Sequence, residues 1–450
     1  MKKKTTIGLV SFGCAKNAVD LQVMAGHLRK AGFVLAPNPD DADVILVNTC
    51  AFIEQAREEA ASELLRACEL KKAGRCRAVV AAGCFVQRYG DTIAEAFPDV
   101  DAFLGIDAID RIAEVVSRIG KPKSRTAALP CGIPGKVFSP PEPALRFTGA
   151  AYAYLKIAEG CAHRCSYCAI PAIRGAYRSR KLKDIVAEAK ELVSTGVREL
   201  NVIAQDPMLY GVDMKPGRDG KRIGIVDLLK ALDAMDGDFR VRVLYSYPSE
   251  ITDAFLDWMN NSPRAIRYVD VPLQHTVPSV LKAMARGSAV QATRNAAARI
   301  RAAVPGVTLR TTVMTGFPGE TENDFKRMLS DIKEMKFDHL GAFAFSPEEG
   351  TVAAELDGQV SRGVAERRRQ EVMRVQKSIW RTKAKAFVGK VLPALVVAPG
   401  IARLESQAPD VDGVTFIAMP PKAAAPAVGD VVQLRIVAVK GYDFEGTPAT

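Results

Sequence analysis

The apolar positions of the chain fall into short runs that alternate, for most of its length, with stretches of helical periodicity. Over residues 5–119 and again over 152–346, runs rich in branched apolar residues have the length and composition of buried strands. The strand candidates are 6–12, 43–48, 77–82, 102–105, 152–158, 198–204, 239–245, 267–271, 307–314 and 338–345. After residue 387 the β-rich runs 391–397, 414–419 and 431–439 are separated by glycine and proline turns.

Alternating strands and helices predict parallel sheets with right-handed crossovers. We therefore expect an α/β protein with an N-terminal doubly wound α/β domain over 5–120, a central partial (β/α)6 barrel over 148–386 and a small OB-like β-barrel over 387–450. Residues 121–147 contain six prolines and show little periodicity, which predicts an extended, semi-rigid linker.

The composition is that of an ordinary globular protein, with 48% hydrophobic and 25% charged residues among 450. No apolar run approaches the roughly 18 to 20 residues that a membrane span needs, and the apolar stretch after Lys4 is too short for a signal peptide. We therefore expect a cytoplasmic protein with no membrane partner. The net charge of +11 indicates an anionic partner, such as nucleic acid or ribonucleoprotein.

Nine cysteines, an odd number with one tight cluster, indicate a reducing compartment and metal ligation rather than a disulfide framework. The cluster is Cys161-Ala-His-Arg-Cys165-Ser-Tyr-Cys168. A cubane of four irons normally takes four thiolates, so three leave one iron open, and an open metal position is typical of a catalytic site. The alternative is a structural zinc ion with His163 as fourth ligand, but such sites usually include a second, distant ligand pair, which this half of the chain lacks.

A second group of thiols follows three strand candidates of the N-terminal domain, and its members are Cys14, Cys50 and Cys84. Ligands of open parallel sheets bind outside the carboxyl ends of the strands, so these thiols are expected to converge, with helix N-termini stabilising their thiolates. The alternative is three unrelated small apolar residues at strand ends. The remaining cysteines are interpreted as ordinary thiols: Cys68, Cys76 and Cys131.

Polar groups also follow the strand candidates of the central domain, at the edge where such barrels carry their catalytic groups. They are Gln205-Asp206, Ser246-Tyr-Pro248, Pro272-Leu-Gln-His275 and Gly316-Phe-Pro-Gly319-Glu320. The last of these can cradle a ligand or simply form a turn into a helix capped by Thr321, and His275 can be a ligand contact or a satisfied structural group. The basic stretch 362–385 predicts an amphipathic helix whose charges face solvent rather than phosphate.

The loop from Cys161 to Cys168, with Tyr167 before its last cysteine, resembles the signature of radical S-adenosylmethionine (SAM) enzymes. Its flanking sequences narrow the resemblance to the methylthiotransferases; they are Tyr154-Leu-Lys-Ile-Ala-Glu-Gly160 and Ile170-Pro-Ala-Ile-Arg-Gly175. The resemblance implies a 4Fe–4S cluster on Cys161, Cys165 and Cys168. The open iron of that cluster would bind SAM, and its electron would cleave SAM to methionine and a 5′-deoxyadenosyl radical.

The N-terminal motifs GCAKN, VNTCAFI and AAGC are similar to the three cysteine motifs of the same family. The resemblance implies an auxiliary 4Fe–4S cluster on Cys14, Cys50 and Cys84 that delivers a sulfur methylated by a second SAM. It also implies that the stretches PLQH and GFPGET line the SAM and substrate cavity. The candidate SAM-binding residues are therefore Gln205, His275, Gly316, Gly319 and Glu320. The chain departs from the usual family pattern at Leu21-Gln22 and at Asp206-Pro207.

The C-terminal region resembles the TRAM domain, which binds RNA in tRNA-modifying members of the family. From Phe387 onward it holds five Lys or Arg against six Asp or Glu, a net charge of −1 that suits phosphate binding poorly. The stretches 403–413 and 441–444 resemble the branch that modifies a ribosomal protein. This resemblance implies insertion of a methylthio group at the β-carbon of an aspartate of small-subunit ribosomal protein twelve, with a reductant such as flavodoxin or ferredoxin and without tRNA binding. Two alternatives remain open: a tRNA adenosine methylthiotransferase and a non-enzymatic iron–sulfur carrier.

Overall fold

A computed structural model describes residues 4–119, 127–128, 132–140, 145–147, 149, 151–217, 220–420 and 423–449. The chain divides into two compact units. The first unit comprises Met1–Phe147, Lys156–Arg164 and Cys168–Glu188, and the second comprises Thr148–Leu155, Cys165–Tyr167 and Ala189–Thr450. Residues 121–126, 129–131 and 141–144 of the predicted linker lie outside the described residues, and Cys131 is one of them. Two of its described residues, Ala127–Ala128, form a short strand rather than an isolated extended segment.

The first unit is built on a six-stranded parallel sheet in the order β2-β1-β3-β4-β5-β6. Its strands are β1 (Thr6–Ser11), β2 (Val34–Leu35), β3 (Val44–Thr49), β4 (Ala78–Gly83), β5 (Ala102–Leu104) and β6 (Ala127–Ala128). Its first helices are α1 (Ala15–Lys30), α2 (Glu54–Lys72), α3 (Cys84–Ala96) and α4 (Ile112–Arg118). The apolar pattern predicted the four longer strands and missed β2 and β6, because two residues are too few to show a period.

Both faces of this sheet are covered, as a doubly wound domain requires. Val44 and Leu46 of β3 pack in one apolar cluster with residues of α1 and α4, whereas Ile45 and Val47 pack in another with residues of α2 and α3. Because β1 lies between β2 and β3, the strand order reverses next to β1. Ligands of such sheets bind outside the carboxyl ends of the strands at this reversal.

The central region contains a six-stranded sheet in the order β14-β13-β12-β11-β10-β7, and this confirms the predicted partial barrel. Its strands are β7 (Tyr152–Lys156), β10 (Glu199–Ile203), β11 (Arg240–Val243), β12 (Ala265–Asp270), β13 (Thr308–Thr315) and β14 (His339–Ala344). Two short strands, β8 (Ala158–Glu159) and β9 (Arg178–Ser179), pair with each other. The helices are α5 (Ile170–Arg174), α6 (Leu182–Ser194), α7 (Ile225–Asp233), α8 (Asp253–Asn261), α9 (Pro278–Ala283), α10 (Val290–Ala303), α11 (Glu322–Met335) and α12 (Arg362–Lys385).

The C-terminal module is a closed five-stranded barrel in the order β15-β16-β17-β19-β18, as predicted. Its strands are β15 (Val391–Ala398), β16 (Ile401–Leu404), β17 (Thr415–Ile417), β18 (Val431–Lys440) and β19 (Asp443–Pro448). Trp380 of α12 is buried in the same core as Leu434 and Phe444, so the helix and the barrel share one apolar interior. Among the described residues, no helix is both long enough and apolar enough to cross a membrane.

The connection between β16 and β17 packs against the strands of the central sheet. Asp410 accepts a hydrogen bond from the Tyr154 hydroxyl, and Asp412 accepts one from the Tyr268 hydroxyl at 2.6 Å. This connection is the stretch whose sequence resembles the branch that modifies a ribosomal protein. Its two aspartates bind the module to the strands of the central sheet.

Candidate metal centres and cofactor site

The structure brings the three N-terminal cysteines to one edge of the first sheet. Cys14 is the N-cap of α1, Cys50 follows β3 directly and Cys84 is the first residue of α3. Because β1, β3 and β4 are adjacent and parallel, all three thiols lie beyond the carboxyl ends of neighbouring strands. This placement agrees with the predicted convergence, and we call this set the three-thiol edge.

Two further residues hold the three-thiol edge together. The Asn17 amide donates to the Phe12 and Thr49 carbonyl oxygens at 3.1 and 2.9 Å, and its Oδ1 accepts from the Cys84 thiol at 3.3 Å. Gly13 has φ of +94°, and a Cβ at this position would lie 2.9 Å from Cys50 Sγ. Only glycine fits here, because both the backbone conformation and the close approach of the thiol exclude a side chain.

The three thiols differ in acidity because the charged groups around them differ as well as their burial. Cys50 and Cys84 are buried, whereas Cys14 is exposed. Burial raises the pKa of Cys50 and raises that of Cys84 to about 12. Desolvation also acts against ionisation of Cys14, but the charges of Lys16 and Arg174 and nearby backbone N–H groups outweigh it and lower the pKa. A thiol must lose its proton to bind iron, so binding of a cluster at this edge would release protons.

A buried arginine completes the three-thiol edge from the side of α5. The Arg174 guanidinium donates to Cys84 Sγ at 3.4 Å and to Asn17 Oδ1 at 2.7 Å. It also donates to Asp20 at 2.8 Å and to both carboxylate oxygens of Glu159, at 2.9 and 3.0 Å. Buried charges are tolerated when they are paired and hydrogen-bonded, and both conditions hold here.

Lys156 adds a second cation to this network, so that two cations face two carboxylates. Its ammonium contacts both Asp20 and Glu159, and all four groups are almost fully buried. Burial favours the neutral acid, but Arg174 and Lys156 outweigh it and lower the pKa of Glu159 to about 2. Glu159 precedes Cys161 by two residues, so the start of the central loop is fastened to the residues that support the three-thiol edge.

The central cysteine loop is held by backbone contacts at its beginning and at its middle. The Cys161 N–H donates to the Gly175 carbonyl oxygen at 3.2 Å. Ser166 donates through its N–H to the Met284 carbonyl oxygen at 3.1 Å and through its hydroxyl to that of Ala283 at 2.8 Å. All three loop cysteines are partly exposed.

Buried polar atoms without a partner among the described residues lie just past the carboxyl ends of three central strands. Both side-chain amide atoms of Gln205 follow β10, the Ser246 hydroxyl follows β11, and His275 Nε2 and the Thr276 hydroxyl follow β12. Buried polar groups are normally hydrogen-bonded, so this set indicates a polar ligand. SAM offers an amine, a carboxylate and ribose hydroxyls to such groups.

His275 is set up as a hydrogen-bond donor. Its Nδ1 accepts from the Val277 N–H at 3.1 Å, and burial lowers its pKa to about 4, so the ring is neutral at physiological pH. The proton of the neutral ring therefore resides on Nε2, which makes no hydrogen bond in the described structure and lies 3.9 Å from Glu320 Oε2. If His275 were only a structural residue, both ring nitrogens would be hydrogen-bonded within the protein. In the described structure only Nδ1 is.

Glu320 ties its turn to helix α12. Its Oε2 accepts from the Gly316 N–H at 2.7 Å, and its Oε1 accepts from Arg368 at 2.9 Å. Gly316 has φ of +73°, and a Cβ there would lie 2.2 Å from that of Ala365. Thr321 caps α11 as predicted, because its hydroxyl accepts from the Asp324 N–H at 3.1 Å.

The described contacts thus give the glycine-rich turn a structural role, and SAM contacts of Gly316, Gly319 and Glu320 stay a prediction. Gly319 has φ of +80°, and its N–H donates to the Gly358 carbonyl oxygen at 2.9 Å. The solvent-facing interpretation of α12 also needs a correction, because Arg368 is buried against Glu320 rather than exposed with its neighbours.

Three segments of the chain match known protein families. Residues 6–105 match the family described as Uncharacterized protein family UPF0004, residues 155–332 match the Radical SAM superfamily, and residues 388–448 match the TRAM domain. Ribosomal protein uS12 methylthiotransferase RimO of Syntrophus aciditrophicus (strain SB) is 42% identical over 451 residues, which cover 98% of both chains. The protein of the same name from Geobacter sulfurreducens is 40% identical over 452 residues, again 98% of both chains. The chain belongs to this family of radical SAM methylthiotransferases.

Among solved structures, the radical SAM methyltransferase TsrM from Kitasatospora setae has a TM-score of 0.54 with 17% sequence identity over 75% of this chain and 73% of that chain. At this identity the likeness shows a shared fold. As a radical SAM protein, this methylthiotransferase uses SAM and a 4Fe–4S cluster.

The donor groups of the methylthiotransferase suit these cofactors. Thiolates are the ligands of iron–sulfur clusters, and the chain presents two groups of three. Among the described residues, no three Cys, His, Asp or Glu side chains are close enough to bind a single metal ion. In a cluster each thiolate binds a different iron atom, so its ligands are spaced more widely than those of one ion.

The sequence reasoning missed Arg286, which contacts the central loop of this methylthiotransferase. Its guanidinium is 3.8 Å from Cys165 Sγ and 3.5 Å from the Tyr167 hydroxyl, and it lies over the Tyr247 ring at 4.0 Å from the centroid. No local pattern marks this residue, because it follows a short helix more than one hundred residues beyond the loop. The basic segment that the sequence analysis singled out was α12, which contains nine arginine and lysine residues and does not include Arg286.

Proposed function

We propose that this methylthiotransferase inserts a methylthio group at the β-carbon of an aspartate of small-subunit ribosomal protein uS12. Its relatives from Syntrophus aciditrophicus and Geobacter sulfurreducens are named as uS12 methylthiotransferases, and each match covers 98% of both chains. The observation that carries the chemical part of the proposal is the three-thiol edge, where Asn17 and Gly13 allow three distant cysteines to approach one another.

The proposal includes two 4Fe–4S clusters with separate ligands. Cys161, Cys165 and Cys168 would hold the central cluster, and Cys14, Cys50 and Cys84 would hold the auxiliary one. When bound, the central cluster and SAM supply a radical able to remove hydrogen from an unactivated C–H bond, and the auxiliary cluster supplies the sulfur. No general base can do this, because such a C–H bond has no useful acidity.

The side chains position these groups and move no proton themselves. Gln205, Ser246 and His275 would orient SAM through the buried polar atoms that lack a partner in the described structure. Arg174, which donates to Cys84 Sγ, would hold the thiolate of Cys84 and offset part of its negative charge, whereas Asn17 Oδ1 accepts from this sulfur only while the thiol is protonated. The protein would work in the cytoplasm with a reductant such as flavodoxin or ferredoxin, and tRNA would not be its substrate.

The test is mass spectrometry of uS12 and of digested tRNA after anaerobic incubation with reconstituted protein, SAM and reductant. We expect one aspartate of uS12 to gain a methylthio group in place of hydrogen and tRNA to stay unmodified. Methylthioadenosine in tRNA with unchanged uS12 would instead establish the tRNA-modifying alternative. Failure to form 5′-deoxyadenosine would favour the non-enzymatic carrier.

A further inference from the structure

Arg286 is a buried cation to which the described part of the chain offers no carboxylate. The residue is 3% exposed, and its hydrogen bonds go to Cys165 Sγ, the Tyr167 hydroxyl and the Pro272 carbonyl oxygen, the last at 3.0 Å. Its Nε has no partner among the described residues. A buried guanidinium without an anion is costly, so this arrangement calls for a negative charge nearby.

Four groups surround the Arg286 guanidinium: the Tyr167 hydroxyl, the Tyr247 ring, the Pro272 carbonyl oxygen and the Cys165 thiol. Burial raises the pKa of Tyr247 to about 12, so this ring is neutral at physiological pH and contributes only its face to the cation. The Pro272 carbonyl is a neutral acceptor. The Cys165 thiol, in contrast, becomes a thiolate when it binds iron.

The segment that carries Arg286 also holds the loop that carries Cys165. Ser166 donates to the carbonyl oxygens of Ala283 and Met284, and Tyr167 packs in an apolar cluster that contains Met284. Ala285 lies between Met284, which contacts the loop, and Arg286. It has φ of +55°, a conformation that non-glycine residues adopt only when their surroundings impose it. The loop and the guanidinium are therefore fixed relative to each other by several independent contacts.

We propose that Arg286 is a positioning residue that pairs with the Cys165 thiolate and makes the central cluster easier to reduce. The inference rests on the proposed assignment of Cys161, Cys165 and Cys168 as cluster ligands. When one electron passes from a low-potential donor such as a flavodoxin, the donor is oxidised and negative charge grows on the cluster and its thiolates. A cation that contacts one of those thiolates stabilises the reduced form, since local charge and hydrogen bonds to sulfur set the potential.

The experiment is a redox titration of full-length, anaerobically reconstituted protein, followed by electron paramagnetic resonance without SAM. A background in which Cys14, Cys50 and Cys84 are replaced by alanine leaves only the signal of the central cluster. Arg286→Gln should lower the ratio of reduced to oxidised cluster at a fixed potential about tenfold, which equals a potential lowered by about 59 mV for one electron. Arg286→Lys keeps the charge and should stay near the starting protein. Arg294→Gln, which changes an exposed arginine of α10, should have no effect.

Three results would overturn the proposal. The first is an unchanged potential in Arg286→Gln protein with full iron content, and the second is a potential in Arg286→Lys as low as in Arg286→Gln. The third is weaker SAM binding by Arg286→Gln protein with an unchanged potential, which would assign the guanidinium to the SAM carboxylate.

If the Arg286→Gln protein loses iron, the Arg286→Lys protein decides the question. Retained iron and an unchanged potential in Arg286→Lys support the pairing, and loss of iron in Arg286→Lys contradicts it. A Cys165→Ala variant that keeps all its iron would instead refute the ligand assignment.

Discussion

Gly13 and Asn17 determine whether the thiols of the first unit can approach one another. Gly13 faces Cys50 with a positive φ, and the buried Asn17 amide connects the ends of β1 and β3 to Cys84. Neither residue binds metal in the proposed function. Their contribution is spatial, because each occupies a place where another side chain would keep the sulfurs apart.

Gly13→Ala tests this spatial role, with Gly74→Ala as its matched control. Both glycines have positive φ, but a Cβ at Gly74 meets no atom within 4 Å. Each substitution should cost about 1 to 2 kcal/mol of stability through backbone strain. Iron analysis of reconstituted protein should show about half the iron in Gly13→Ala and full iron in Gly74→Ala, because thiolates hold the clusters. Equal iron in the two variants would contradict the collision with Cys50.

The two groups of cysteines should also separate by function. Cys165→Ala should abolish 5′-deoxyadenosine formation, because the central cluster is the one that reduces SAM in the proposed function. Cys50→Ala should retain SAM cleavage but stop sulfur insertion. Chromatography of 5′-deoxyadenosine together with mass spectrometry of uS12 distinguishes the two. If both variants lost SAM cleavage equally, the division of labour would be wrong.

At the scale of elements, helix α12 carries basic residues in two different environments, exposed and buried, and its composition does not distinguish them. Most of its basic residues lie on partly or fully exposed positions, but Arg368 is buried and binds the Glu320 carboxylate. Through this pair the helix holds the turn between β13 and α11. The pattern of a basic amphipathic helix correctly predicted its bounds, Arg362–Lys385, and did not distinguish Arg368 from Arg367 beside it.

Arg368→Ala should therefore be far more damaging than Arg367→Ala. Removal of Arg368 leaves the Glu320 carboxylate buried without its cation, which typically costs about 3 to 5 kcal/mol. Arg367 is exposed, and its loss should change stability by less than about 0.5 kcal/mol. Urea unfolding followed by circular dichroism measures both. Similar midpoints for the two variants would show that the buried pair contributes little.

For the molecule as a whole, three carboxylates of the C-terminal module contact residues of the central sheet. Glu405 pairs with Arg240, Asp410 with Tyr154 and Asp412 with Tyr268. Three of the six Asp and Glu residues from Phe387 onward therefore contact residues of the central strands. The net charge of the module consequently says less about its outer surface than the count suggests.

Glu199 makes the attachment of this module sensitive to acid. It binds Arg242 and Arg403, and although burial opposes ionisation, these cations lower its pKa from 4.5 to about 2. Its contribution is thus fully present above the ordinary pKa and is lost as pH falls from about 4.5 towards 2. Glu199→Gln should be less stable at pH 7 by about 2 to 3 kcal/mol, and the difference should shrink through this window.

Urea unfolding at several pH values checks this dependence. Glu355→Gln, which changes an exposed carboxylate, is the control and should follow the wild-type pH profile. A constant difference between Glu199→Gln and the wild type from pH 7 to pH 3 would show that Glu199 does not titrate with folding.

The sequence by itself determined the longer strands of the two large sheets, their parallel arrangement and the positions of the six cysteines relative to the strands. These features follow from local periodicity and from the rule that parallel strands end at one edge, so they need no knowledge of distant contacts. The same rule correctly placed Gln205 and His275 beyond strand ends.

Only the tertiary structure decided which side chains support those groups. Arg174 reaches Cys84, Arg286 reaches Cys165 and Arg368 reaches Glu320, and each pair is separated by 48 to 121 residues. Such partners leave no periodic trace, because a buried charge is placed by the packing of whole elements and not by its neighbours in the chain. For the same reason the stretch from Arg403 to Gly413, which the sequence associates with a substrate, emerges in the structure as the attachment of the C-terminal barrel to the central sheet.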